Sequence, residues 1–166
     1  MTITILSFTL MLTVFISYIL FIWIKYGILP SISESYYRLP DKLKFLFTFF
    51  CWGFAIPTII ASDNLLMFIA GSGIAFVGTA AQFKERITNN VHTIGAVIGV
   101  GFSQLSTYFD FHMLYVNIIF ISLAAIILLL NKLKMVNNKV WWIELLAFSL
   151  MCYVLGIKIF SNSVTF

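Results

Sequence analysis

The sequence predicts an all-α membrane domain. It is a bundle of six transmembrane helices, with both termini extracytoplasmic and a short cytoplasmic interfacial helix between the first two spans. Three observations carry this prediction. Of 166 residues, 61% are hydrophobic and 10% charged, against about 25% charged in a soluble domain, so the chain cannot cover a water-facing surface. Apolar runs near the roughly 20 residues that cross hydrocarbon recur six times along the chain. Nine of the ten lysines and arginines fall in alternate connections between those runs. The length allows a single domain, 1–166. Helices are required because each backbone N–H and C=O in hydrocarbon must be paired within its segment, and the alternation of barrel strands is absent.

The first span covers 4–24. It has no basic leading segment and no small-residue cleavage site after it, so it reads as a retained helix rather than a secretory signal. Next comes the one long polar stretch, GILPSISESYYRLPDK (27–42). Pro30 is expected to end the first helix, and Ser31 with Glu34 matches the S-x-x-E capping box, in which each residue satisfies an N–H of the other. Pro40 closes the segment by pushing its predecessor out of helical conformation. Between the prolines, Ser31 to Leu39 makes about two helical turns. Ile32, Tyr36 and Leu39 share one face of it, while Ser33, Glu34 and Tyr37 turn away. A short helix lying along the inner membrane surface is expected, with Asp41 capping the second span. The remaining spans are 43–61, 64–82, 91–108, 113–131 and 141–160, and of these 43–61 and 91–108 are near the lower limit for crossing.

Orientation follows from charge. Lys25, Arg38, Lys42 and Lys44 flank the first connection, Lys84 and Arg86 the third, and Lys132, Lys134 and Lys139 the fifth. Basic residues in short loops stay cytoplasmic. Nine bases with Glu34, Asp41, Glu85 and Glu144 leave +5 inside, and Lys158 with Asp63 and Asp110 leaves −1 outside. The basic balance is therefore topological and favours anionic headgroups; it gives no reason to invoke nucleic acid. Cys51 and Cys152 both lie mid-span, where buried, inert thiols are expected rather than a disulfide.

The third and fourth spans carry small residues at helical spacing: Gly71, Ala75, Gly78 and Gln82 on one, and His92, Gly95, Gly99, Ser103 and Ser106 on the other. Gly95 and Gly99 form a G-x-x-x-G pair that lets helix backbones approach. An antiparallel pair packed along these stripes is expected, with self-association through the Gly95/Gly99 face as a further use. A narrow cavity lined by Ser103, Gln104 and Ser106, completed by Thr9, Thr13 and Ser17, is the competing arrangement.

Three groups of residues could carry chemistry or binding. At the inner mouth, His92 could serve as a base or proton relay, with Glu144 and Glu85 at similar depth. The structural alternative is a boundary histidine bonded to Glu144 or the elbow tyrosines, with Glu144 paired to Arg86 or Lys139. Across the mouth, the 27–42 elbow could act as a polar lid that offers Ser33, Glu34, Ser35, Tyr36, Tyr37 and Arg38 to a ligand. On the outer side, Asp63, Asp110 and His112 could hold a cation, but each aspartate is also placed to cap a helix N-terminus, so no metal is expected. No cofactor is expected either, since H-E-x-x-H, G-x-S-x-G, phosphate-loop and C-x-x-C patterns are all absent. The two histidines, roughly 30 Å apart on one helix, cannot share an ion.

The pattern Gly27-x-x-Pro30-Ser31-x-Ser33-x-Ser35-Tyr36-Tyr37 follows a first span, and Phe83-Lys84 precedes a His92 that heads the fourth. In this the chain resembles uncharacterised small multi-pass membrane proteins of Bacteroidota and their phages. That resemblance implies no activity, but it links the elbow and His92 as one feature. A remote similarity to alkaline-ceramidase-like membrane hydrolases departs in span number and histidine count, so no zinc mechanism carries over. The expectation is a small polytopic protein of a bacterial cytoplasmic membrane that binds lipid or a membrane-protein partner without catalysis. The second reading is a membrane-embedded enzyme or small-solute or proton transporter centred on His92.

Overall fold

The long helices that follow one another along the chain pack side by side. The computed structural model describes residues 2–62, 64–80 and 86–164, and side chains within 3–62, 64–80 and 93–161. Among these residues there are seven helices and no strands: α1 (Thr2–Tyr26), α2 (Ser35–Arg38), α3 (Phe45–Ser62), α4 (Leu65–Ala80), α5 (Arg86–Phe109), α6 (Leu114–Lys132) and α7 (Lys139–Val164). Four stretches are long and apolar enough to cross a membrane, by length and composition: Ile3–Tyr26, Asp41–Ser62, Leu114–Lys132 and Lys139–Ser161. Of the two other expected spans, α4 has only 16 residues. In contrast, α5 has 24 residues and opens on the polar run RITNN. That run ended the apolar pattern without ending the helix, so α5 starts five residues before the expected boundary at 91.

Neighbouring helices run antiparallel, as the paired positions show. Between α1 and α3, Tyr18 stacks on Phe50 with ring centroids 4.4 Å apart, and Thr58 donates to the Met11 sulfur. Between α1 and α7, Phe15 faces Phe148 and Phe8 faces Phe160. The α4 helix lies between α3 and α5, α6 rests on α5 and α7, and α7 returns to α1, closing the ring. The core is aromatic: Phe15, Tyr18, Phe47, Phe50, Phe54 and Phe148 interlock across α1, α3 and α7. Large rings at 4.5–7 Å centroid spacing fill the wide space that three helices leave between them.

Glycine decides the α4–α5 contact, along a different line from the one expected. A Cβ on Gly73 would come within 2.8 Å of the Gly95 carbonyl oxygen and the Gly99 nitrogen. Gly73, which is not on the Gly71/Gly78 stripe, is thus the partner of the G-x-x-x-G pair. Gly71 and Gly78 instead turn to α3, against Ile59 and Cys51. Gly95 and Gly99 are filled from within the chain.

The α6 helix is the outlier, exposed along most of its length. Asn117 anchors it, donating from Nδ2 to the Gln104 main-chain oxygen at 2.8 Å and to Gln104 Oε1 at 3.2 Å, while its buried Oδ1 accepts nothing from the described residues. Interhelical side-chain hydrogen bonds in bilayers are worth about 0.6 kcal/mol on average, up to about 1.7. Asn117→Ala should therefore cost about 1 kcal/mol and raise amide exchange in α6 ahead of the other helices. Uniform exchange across α5, α6 and α7 would show that the anchor carries nothing.

Candidate functional site

The elbow is built into the bundle. Helix α1 ends at Tyr26 because Gly27 takes a left-handed φ of 73° and donates its N–H back to the Trp23 carbonyl at 2.9 Å, a glycine C-terminal stop. Gly27, and not Pro30, therefore terminates the first helix. Half of the capping box forms: the Glu34 N–H donates to Ser31 Oγ at 3.1 Å. The reciprocal bond from Ser31 N–H to the Glu34 side chain is not formed, and only the single turn Ser35–Arg38 becomes α-helix. Asp41 opens a 3-10 turn and pairs with Lys44 at 2.6 Å. Leu29, Ile32 and Leu39 are buried, and so is Ser35, at 0% exposure. A helix lying on the membrane surface would not bury these four, so the segment is a plug tucked under the ends of α1, α3 and α7.

Three residues at and just before the start of α7 hold the plug. The Glu144 carboxylate accepts the Ile32 N–H at 2.5 Å and also the Ser33 N–H. The Trp141 N–H donates to the Pro30 carbonyl at 3.3 Å, and Asn138 Nδ2 donates to the Ile28 carbonyl at 2.9 Å. From α1, the Tyr18 hydroxyl meets Ser35 Oγ at 2.6 Å, and Ser35 also donates to the Ile32 carbonyl at 2.5 Å. Glu144 thus binds main-chain amides of the elbow and not the expected Lys139, and among the described residues it has no ion pair; the side chain of Arg86, the other expected partner, lies outside the described residues. Ser35 is buried and bonded within the fold. Tyr36 packs on Phe47 with Lys44 over its ring, while Tyr37 and Arg38 are exposed.

Behind the plug lies a partly open cleft of about 60 Å³. Its walls come from α3 (Phe47, Phe50, Cys51), α4, α5 and α7 (Glu144, Phe148, Met151), with Ile32 and Ser33 at the elbow end. The lining is almost wholly hydrocarbon. Of the expected interior polar set, Ser103 lines the cleft and donates to the Val100 carbonyl of its own helix at 2.8 Å. Gln104 is engaged by Asn117, and Ser106 donates to Asn64 Oδ1 at 3.1 Å. Thr9, Thr13 and Ser17 do not complete the cavity. They lie on the outer face of α1, where the threonine hydroxyls donate to the Ile5 and Thr9 carbonyls one turn back.

No protein-family model, curated protein or solved structure matches this chain.

His92 is the seventh residue of α5 and precedes the cleft-lining Ala96 by one turn; its side chain lies outside the described residues, as do Glu85 and Asp63. At the opposite end, Asp110 is exposed just past the end of α5 and caps no helix, since Met113 precedes α6 without a side-chain cap. His112 is exposed with φ of 55°. Among the described residues no group of three His, Cys, Asp or Glu side chains is placed to hold a metal. Lys158 there donates to the Ser62 carbonyl and lies over the Phe111 ring, a cation at the C-terminus of α3 where the helix dipole favours it. Sequence reasoning missed Tyr18, Asn138 and Trp141 as elbow anchors. The available signal was Glu144 itself, an acid inside an apolar run, which needs a partner wherever it is buried.

Proposed function

We propose that this chain is a six-span protein of a bacterial cytoplasmic membrane, with both termini outside, that binds a membrane lipid at its elbow end without catalysis. The observation that carries the proposal is the plug: five hydrogen bonds from α1 and α7, counting both of Glu144's, hold a polar segment across the mouth of an apolar cleft. A cleft with hydrocarbon walls, in a protein whose solvent is lipid, suits a lipid chain better than a polar substrate. Lys25, Arg38, Lys42, Lys44, Lys132, Lys134 and Lys139 all gather at the plug end. That supports placing this end on the cytoplasmic side. The short α4 completes six crossings because its glycine contacts seat it between α3 and α5 as one antiparallel unit.

Cysteine labelling tests the placement, helped by the burial of both native thiols. Lys134→Cys should resist a membrane-impermeant maleimide in intact cells and react after lysis, whereas Asp110→Cys should react in both. The opposite pattern, or equal reaction at both sites, overturns the topology. Lipid binding is tested by native mass spectrometry of the extracted protein: one retained lipid is expected, and a bare protein under mild activation counts against the proposal. A transporter or enzyme at His92 is the second reading, favoured by its position one turn from Ala96. His92→Ala should leave lipid retention unchanged if the binding reading holds.

A further inference from the structure

The lipid-binding proposal leaves open what kind of head the cleft receives. Along α7 its lining runs from Glu144 to Met151, and along α5 from Ala96 to Ser103; both helices leave the plug end in the same direction. Seven residues at 1.5 Å make about 10 Å of depth. The polar groups Glu144 and Ser33 stand at the plug end, and hydrocarbon follows. The cleft is therefore polarised as an inner-leaflet lipid is, with its head toward the basic end of the bundle.

Its size limits the occupant. An apolar cavity of about 150 Å³ takes a benzene ring, so about 60 Å³ of partly open space takes a stretch of one alkyl chain and not a pair. Its charge limits the head. Among the described residues, Glu144 is the sole ionisable side chain in the lining besides the Cys51 thiol. A carboxylate has about four acceptor sites, and the Ile32 and Ser33 amides occupy two of them. The same cleft presents the rings of Phe47, Phe50 and Phe148, whose faces attract cations. An anionic head would meet a carboxylate, whereas an ammonium head would find a hydrogen-bond acceptor among aromatic rings.

We infer that the cleft between α3, α4, α5 and α7 is a binding site for a single-chain amphiphile with a primary ammonium head, the head at Glu144 and the chain directed toward Ser103 and Met151. The inference rests on the lipid-binding proposal and adds the head-group class. Glu144 then has two tasks, holding the elbow and receiving the head.

The test uses the full chain in phosphatidylcholine nanodiscs, with dodecylamine, dodecanol and dodecanoate as probes and native mass spectrometry as the readout. Wild-type protein should retain the amine about tenfold or more over the carboxylate, as expected for a charge-assisted hydrogen bond, with the alcohol between them. Glu144→Gln keeps a carbonyl acceptor for the elbow and should abolish the amine preference while the alcohol still binds. Ala96→Phe, which fills the cleft from a half-buried position, should remove all three adducts. Alcohol binding without amine preference, or a preference unchanged in Glu144→Gln, overturns the inference and leaves the lipid-binding proposal standing. Absence of every probe from wild-type protein, or adducts that survive Ala96→Phe, overturns the cleft as a lipid site altogether.

Discussion

Glu144→Ala should release the elbow. The Ile32 and Ser33 amides both donate to this carboxylate, and Ile32 is buried, at 2% exposure. Leaving a buried donor unsatisfied costs about 1–3 kcal/mol. With water reaching Ser33, which is only half-buried, the pair should lose about 2–4 kcal/mol. The loss should be local first. Residues 28–39 are held from α7 by Glu144, Trp141 and Asn138, and removing the strongest of these leaves one main-chain and one side-chain bond there. Amide exchange at 32 and 33 should therefore rise by more than tenfold in nanodiscs while α3 and α4 are unaffected. Glu144→Gln retains an acceptor of the same reach and should lose less than half as much. If exchange in 28–39 is the same in Glu144→Ala as in the wild type, the carboxylate does not hold the plug, and its place in the cleft needs another explanation.

The parts legible in the sequence were those that depend on neighbours along the chain. Hydropathy alone places every long helix within a few residues, because backbone pairing in hydrocarbon leaves one solution. The largest boundary error, at Arg86, arose because hydropathy reports where lipid ends, and a helix can continue past that point into water. The plug was illegible for the opposite reason. Ile32 and Glu144 are 112 residues apart, and the groups donated to Glu144 are main-chain amides that every residue carries, so no side-chain pattern could announce them. Ser35 and Ser33 differ by two positions and are alike in type, yet one is locked to Tyr18 and the other lines the cleft. The hydroxyls of Thr9 and Thr13 bond the carbonyls one turn back and can face lipid, which is why a polar stripe on α1 marked no cavity. Small residues were misread in a related way. Helix α4 carries glycines toward both of its neighbours, and a helical period cannot say which neighbour is which.

The largest loss of stability should come from Gly73. An added Cβ would stand 2.8 Å from the Gly95 carbonyl oxygen and 2.8 Å from the Gly99 nitrogen. Both obstacles are main chain, so neither can rotate aside; α4 and α5 must separate along their whole contact. Overpacking usually costs about 1–3 kcal/mol, and a backbone obstacle places Gly73→Ala at the upper end. Gly73→Leu should prevent assembly of the pair. Gly95→Ala meets the Gly73 carbonyl at 3.0 Å and the movable Val77 side chain at 3.1 Å, so it should cost less. A Cβ on Gly101 meets nothing within 4 Å, and Gly101→Ala should be neutral or stabilising by up to about 1 kcal/mol, the difference in helix propensity. Unfolding in mixed micelles should rank the three alanine variants in that order. If Gly73→Ala unfolds at the wild-type midpoint, α4 and α5 do not approach through Gly73. The wall those two helices give the cleft, through Ile74, Val77, Ala96 and Gly99, would then lie elsewhere.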